Sequence, residues 1–394
     1  MVSAYAELEG RMRDRLGGRE CLYLPSCRLG LHLALRHWCA PGGRVLMSPV
    51  NDDVILFVVL AAGLRPVQAP LDPRDGSLDA AAVPGSVWSG LSAVLTTNLY
   101  GNPDPVPELR ERCDRLGVPL IEDAAHAIGS TVGGRPVGTY GEASVFSLSQ
   151  HARAGTGGFL ALADPALRDE LAAARDALLH PARTTAELAH LARPYAEAAV
   201  RGLRLTGAAR AALRALGREE REGIRMPLRP GALERALPAA PALDPFHSWI
   251  RVDLHDHRLR PGAARLRRTG RRLARLDAVL DAHRAGTARL LASEYGSGGE
   301  ARPLFRVPLL VEDRDAAVAA LARRRITTGY LYDPPLDAYA GARFTDPSPA
   351  PERAAWFARH ALPVDPRRAG AALAALRAAG VRPAHPSAVP GGAR

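Results

Sequence analysis

Short apolar runs alternate with longer helical segments through the first 165 residues. Residues 21–24, 44–47, 66–69, 93–96, 119–121, 144–148 and 159–162 read as strands. Helices are expected at 5–16, 29–38, 53–62 and 106–116. Helix 29–38 is apolar on most faces, with Leu29, Leu31, Leu33 and Leu35, as expected for a helix buried under a sheet. Helix stops stand at Gly17-Gly18, Pro41-Gly42-Gly43 and Gly63. Strand–helix–strand repetition predicts an α/β fold with a mostly parallel sheet covered on both faces. From 165 to 243 the chain turns to Ala, Leu and Arg and reads as several helices, closed by a Pro-rich boundary at 237–245. Leu266, Leu273, Leu276 and Leu280 lie at helical spacing on one strongly basic helix whose charges form a solvated face. Strands at 305–311 and 326–332 flank a helix at 315–324, which predicts a small α/β C-terminal domain. The expected organisation is a large domain (1–165), a helical insertion (166–245), the rest of the large domain with the small domain (246–382), and a disordered tail (383–394).

Composition adds exclusions. Over 394 residues, 47% hydrophobic and 24% charged content is ordinary for a globular protein. No apolar run reaches the roughly 20 residues of a membrane span. The first 15 residues lack the apolar block of a signal peptide, so a cytoplasmic location is expected. Cys21, Cys27, Cys39 and Cys113 fall at no metal-ligand spacing, and no metal is expected. The net charge of +11 would raise nucleic acid as a partner, but all 52 basic residues are arginines spread along helices without interleaved aromatics. A small-molecule substrate is expected instead, with neither nucleic acid nor membrane.

In open α/β sheets, ligands sit at the carboxyl ends of the strands. The 119–121 strand ends in Glu122 and Asp123, with His126 in the following turn. The 144–148 strand delivers Ser147, Ser149, Gln150 and His151 to the same edge. Each also has a plain structural reading: Asp123 as a cap for the following turn, His126 as a core histidine bonded to backbone, Ser147 and Ser149 as the finish of a strand. One of Asp52 and Asp53 is the better candidate for the N-cap of the helix that begins there.

Several pieces line up in order: Pro25-Ser-Cys-Arg28 before a helix, Asn98-Leu-Tyr-Gly101, Ile121-Glu-Asp-Ala-Ala-His-Ala127, Phe146-Ser-Leu-Ser149, Gly155-Thr-Gly-Gly158 and Ala361-Leu-Pro-Val-Asp365. This pattern resembles the DegT/DnrJ/StrS family of sugar aminotransferases, strongly over 18–163 and more weakly over 251–366. The resemblance implies the fold-type I architecture of pyridoxal phosphate (PLP) enzymes and a homodimer with its site at the subunit interface. It implies that Asp123 faces the pyridine nitrogen, His126 contacts the ring hydroxyl, Ser147 helps bind the phosphate, and the Ser26-Cys27-Arg28 turn offers its amides to that phosphate.

The sequence also departs from the family pattern. Gln150, or with a one-residue gap His151, stands where the family carries its Schiff-base lysine, and the 394 residues contain no lysine. Transamination needs that amine as tether and as base. Cys27-Arg28 replaces the usual phosphate-turn pair, Asn51-Asp52-Asp53 the ring-stacking aromatic, and Thr156 a glutamate. Arg28 offers a bidentate phosphate contact. Three readings follow. One is an enzyme holding PLP or pyridoxamine phosphate (PMP) without a covalent bond, with His151 as base. A second has no cofactor and reuses Asp52 or Asp53, His126, His151 and Asp123 for acid/base chemistry such as dehydration or cyclisation of a biosynthetic intermediate. The third is a non-catalytic partner of an authentic aminotransferase.

Overall fold

The computed structural model describes residues 2–185, 187–189, 192, 225–251 and 256–386. Among them a seven-stranded sheet runs in the order β1 (Glu20–Leu24), β9 (Gly158–Leu162), β8 (Ala143–Ser147), β5 (Leu120–Asp123), β4 (Ala93–Thr96), β2 (Arg44–Met47), β3 (Arg65–Gln68). Neighbours from β8 through β3 pair in parallel, while β9 runs antiparallel to both β8 and β1. The reason is local. β8 and β9 are joined by a short turn closed by the Leu148 amide on the Gly157 carbonyl, whereas a parallel step needs a long crossover.

Helices α1 (Val2–Arg15), α2 (Cys27–Trp38), α3 (Asp53–Ala61), α4 (Gly85–Trp88), α5 (Val106–Leu116) and α6 (Arg168–Leu178) accompany this sheet. Every residue of α3 is buried. It lies between α2 and the segment carrying Trp249, whose ring stacks on Phe57 at 5.6 Å. That position explains why α3 is apolar on all faces: each large aliphatic or aromatic side chain buried there contributes about 1.5–3 kcal/mol. On the other side of the sheet, Leu8 and Met12 of α1 share a core with Phe146, Phe159, Leu266, Leu273, Leu276 and Leu280.

After α7 (Pro230–Ala236) and α8 (His247–Ile250), the predicted single basic helix is two helices. They are α9 (Ala263–Leu273) and α10 (Leu276–Leu291), broken at Ala274 and Arg275. The break lets all four predicted leucines stay in one core, while α10 goes on to place Leu290 and Leu291 in a second. That second core lies beneath β10 (Val307–Leu310) and β11 (Ala361–Val364), with α11 (Arg314–Arg323) and α14 (Ala369–Ala378). Between β10 and β11 come α11, α12 (Leu336–Ala340) and α13 (Pro351–His360). β6 (Thr131–Val132) and β7 (Arg135–Pro136) form a small hairpin.

Two local expectations are corrected. Residues 326–332 are not a strand: β10 pairs with β11, and Tyr332 instead packs against Val50, Leu71, Leu99 and Tyr100. The expected disorder of the tail does not hold at its start. Pro383 bridges Val311, and the Ala384 amide donates to the Leu310 carbonyl at 3.0 Å, because this edge of β10 offers unpaired backbone groups. Residues 387–394 lie outside the described residues, as do residues 186, 190, 191 and 193–224 of the expected insertion.

Candidate active site at the carboxyl edge of the sheet

The two carboxylates at the end of β5 point in opposite directions because side chains alternate along a strand. Glu122 is fully buried and accepts from the amides of Gly138 (2.8 Å), Tyr140 (2.7 Å) and Gly141 (2.7 Å). It anchors the loop behind the sheet and does no work at the ligand edge. Asp123 faces that edge. Its carboxyl has one hydrogen bond among the described residues, accepted from the Ala125 amide at 3.0 Å. Burial raises its pKa, the Ala125 amide opposes this, and the charges of Asp52 and Asp104 add to it, leaving the group pushed up to about 7. The neighbouring loop is fixed by Asn98, which adopts φ 44°. Its side-chain amide donates to Thr96 Oγ1 (3.0 Å) and to the Asp123 carbonyl (2.9 Å).

Ser147 ends β8 at the same edge, its hydroxyl 2.7 Å from that of Ser149. Because β9 runs the opposite way, Gly158 at its start lies opposite both Ser147 and Leu24. A Cβ on Gly158 would sit 3.0 Å from the Cys27 nitrogen, so glycine is what allows this turn to lie against the first residue of α2. Ser26 caps that helix, accepting from the Leu29 amide at 3.3 Å. The Cys27 thiol is pushed up to about 12 by burial and then by Asp123, with Arg28 opposing, which makes it an inert thiol. Arg28 donates to the Ile250 carbonyl at 2.7 Å.

At the end of β2, Asp52 is the N-cap of α3, accepting from the Val54 amide at 3.0 Å. Asp53 turns into the core and accepts from the Met226 amide at 2.6 Å. The pair divides between cap and core, and only Asp52 acts on the site, its charge reaching Cys27, Asp123, His126 and Tyr332. His126 is half-buried. Its ring lies 4.9 Å from Phe305 and 6.0 Å from Tyr330, and burial pushes its pKa down to about 4.

Gln150 and His151 part company. Gln150 stays half-buried in the turn, while His151 is 1% exposed behind Phe305, 5.5 Å away, and beside His283 at 4.9 Å. Its Nε2 donates to the Pro303 carbonyl at 3.0 Å, so Nδ1 carries the lone pair, and that atom has no partner among the described residues. Burial and then His283 push His151 down to about 3. Cys27, Asp52, Asp123 and His126 therefore share one electrostatic neighbourhood, with Ser147 at its β8–β9 border. Asp53 lies outside it, and His151 touches it only through the charge of His126. Sequence reasoning missed Tyr330 and Tyr332, whose alternation reads as a strand. Their rings instead stack at 6.1 Å and run on to Tyr100 at 5.6 Å.

The residues present fit PLP or PMP at two of its ends. Asp123 is a desolvated carboxyl short of partners, which suits a cationic ring nitrogen. The Thr156 hydroxyl is buried without a partner among the described residues, in the turn that packs on Cys27 beside Ser147, which suits a phosphate oxygen. The aldehyde end finds no lysine in these 394 residues.

Comparison with known proteins agrees with this geometry. The L-glutamine:scyllo-inosose aminotransferase of Streptomyces griseus is 33% identical over 162 residues, 40% of this chain and 38% of that protein. The GDP-perosamine synthase of Caulobacter vibrioides is 31% identical over 173 residues, 42% of this chain and 45% of that protein. The aligned stretch thus spans about two fifths of these curated relatives' length. Among solved structures, E. coli GDP-4-keto-6-deoxy-D-mannose-3-dehydratase with bound hydrated PLP superposes with a TM-score of 0.67 at 15% identity, covering 95% of this chain and 91% of that one. A DegT DnrJ EryC1 StrS aminotransferase from Brucella abortus gives 0.63 at 17% identity, over 95% and 90%. These superpositions establish the fold, a fold-type I architecture carrying a mostly parallel sheet. The profile of the DegT/DnrJ/EryC1/StrS aminotransferase family matches residues 3–190, just under half of this chain, which is similar to that family over this segment.

Proposed function

We propose that the protein is a biosynthetic enzyme acting on a sugar or sugar-like substrate, holding PLP or PMP without a covalent bond and carrying out chemistry other than ordinary transamination, such as dehydration. The observation that carries this reading is Asp123: a carboxyl pushed up to about 7 by burial, at the ligand edge of a chain without lysine. Asp123 would hold the ring nitrogen, His126 the ring hydroxyl, and Ser147, Thr156 and the first amides of α2 the phosphate. When bound, the cofactor supplies an electron sink. His126 is the base of this proposal, since it is less deeply buried than His151 and neutral above about pH 5. His151, sealed behind Phe305, acts by positioning. A homodimer in the cytoplasm is part of the same reading. Similarity to a PLP-bound dehydratase fold, to a scyllo-inosose aminotransferase and to a GDP-perosamine synthase supports it.

The test is an absorbance titration with PLP and PMP, followed by borohydride. Saturable binding weakened by Asp123→Asn, with no covalent adduct trapped, is expected. Failure of both cofactors to bind, or a trapped adduct, overturns it. One observation favours a second reading without a cofactor: an acid titrating near pH 7 beside the Asp52 charge is itself suited to donate a proton at neutral pH. Turnover in cofactor-stripped protein, lost in Asp123→Asn, would select that reading.

A further inference from the structure

The outward face of α9 carries Arg267, Arg268, Arg271 and Arg272, and Arg275 follows at the break before α10. Arg268 is half-buried and the other four are exposed. None of the five side chains has a hydrogen bond or ion pair among the described residues. α9 turns Leu266, Thr269 and Leu273 inward and has no acidic residue of its own. The next carboxylates along the chain, Asp277 and Asp281 on α10, are already engaged, by Arg15 at 2.6 Å and by Arg284 at 2.7 Å. Like charges at i,i+4, here Arg267 with Arg271 and Arg268 with Arg272, weaken a helix. The helix dipole offsets this for Arg271 and Arg272 in the last turn, but not for Arg267 and Arg268. The buried leucines thus hold in place a row of charge that nothing in the fold compensates.

Beside the start of this row lies one of the two exposed large hydrophobic side chains among the described residues. Glu187 reaches Arg265 at 2.8 Å, and a Cβ on Gly262 would sit 2.8 Å from its carboxyl carbon. Its chain neighbour Leu188, 62% exposed, therefore stands next to the first turn of α9. At the other end the row approaches the ligand edge, where the charge of Arg272 acts on Arg153 in the turn between β8 and β9. Small-molecule sites are concave, and a helix face about 12 Å long does not enclose a small anion. A nucleic-acid backbone would use the charges and leave Leu188 exposed, while a membrane would need more apolar surface than one leucine. An acidic protein surface uses both: charge steers the encounter, and burying Leu188 adds affinity that salt does not screen.

We propose that α9 and Leu188 form a docking surface for an acidic, amphipathic segment of a partner protein, its carboxylates set against the arginine row and an apolar side chain against Leu188. This surface goes beyond the catalytic reading and requires no cofactor. A second copy of the chain does not suit it, because a two-fold contact would set one arginine row against another. The docked segment lies beside the turn that carries Gln150 and Thr156.

The experiment uses the full chain and four probes: a helical peptide with glutamates at i,i+4 spacing and one row of leucines, the same peptide with glutamine for glutamate, duplex DNA, and phosphatidylserine vesicles. The glutamate peptide should bind saturably and more weakly as salt rises, and the glutamine peptide should not bind. Arg267→Gln with Arg271→Gln should weaken the glutamate peptide about tenfold or more. Arg323→Gln with Arg324→Gln removes the same charge at the end of α11 and should change the affinity less than about twofold. Leu188→Ser should weaken binding about threefold at every salt concentration. Glutamine is a good helix former, so the α9 variant should keep its melting midpoint or gain. Arg271→Glu alone, expected to weaken the peptide, serves if that variant does not fold. Failure of the glutamate peptide to bind, or equal losses from the two double variants, overturns the surface. Tighter binding of DNA or of vesicles, lost in the α9 variant and kept in Leu188→Ser, overturns the protein partner.

Discussion

Asp123→Asn is the substitution on which most of the chemistry turns, and its sign is unusual. An acid whose folded pKa lies above its unfolded value contributes stability only while protonated. Asp123 moves from 3.8 to about 7, so its contribution is complete below pH 3.8 and is lost as the pH rises through about 7. Three units at 1.36 kcal/mol each give an upper bound of about 4 kcal/mol for the cost of the ionised carboxylate. The site is buried, so little of this is screened by solvent. An asparagine carbonyl can still accept from the Ala125 amide and carries no charge. The variant should therefore match the wild type near pH 4 and exceed it at pH 8 by about 2–4 kcal/mol. An unfolding entropy of about 2.1 cal/mol/K per residue makes this roughly 2–5 °C in melting midpoint for a chain of this length. The assay is thermal unfolding of cofactor-free protein from pH 4 to 9. PMP should narrow or reverse the difference at pH 8, because the ring cation compensates the wild-type carboxylate and not the amide. A pH-independent difference, or an asparagine variant less stable at pH 8 without ligand, would refute the view of Asp123 as a desolvated acid awaiting a cation.

Asp52→Asn keeps a competent helix cap but removes a charge that raises Asp123, so the midpoint of the pH-dependent stability loss should move to lower pH with little change in stability at pH 4. An unmoved midpoint would show that Asp52 is electrostatically remote. Glu122→Ala strands three buried amides, each worth about 1–3 kcal/mol, and denaturant unfolding should register a loss of at least about 3 kcal/mol. Gly101→Ala places a Cβ 2.5 Å from the His126 carbonyl at φ 96°, so it should lower stability by more than about 2 kcal/mol and weaken PMP binding by displacing the His126 turn. Wild-type stability and affinity in that variant would mean the loop yields freely.

Much of this molecule is written in local pattern. The apolar runs that became β2, β4, β5 and β8, the wholly buried α3, and the placing of Asp123 and Ser147 at strand ends all follow from side-chain alternation and helix signals that neighbouring residues carry. That one of Asp52 and Asp53 caps the helix was expected from the sequence, yet which one it is was decided only by tertiary structure, where Asp53 meets the Met226 amide, 173 residues away. Tertiary structure alone decided the rest. Residues 326–332 have the alternation of a strand, but the edge of β10 was taken by β11, and the tyrosines went to the aromatic stack instead. Gln150 and His151 are adjacent and equally eligible by counting, and only the packing of Phe305 and His283 separates a half-buried amide from a sealed imidazole. Local pattern reports what a residue prefers; desolvation and partner geometry, which set the chemistry at Asp123 and His151, exist only once distant segments have met.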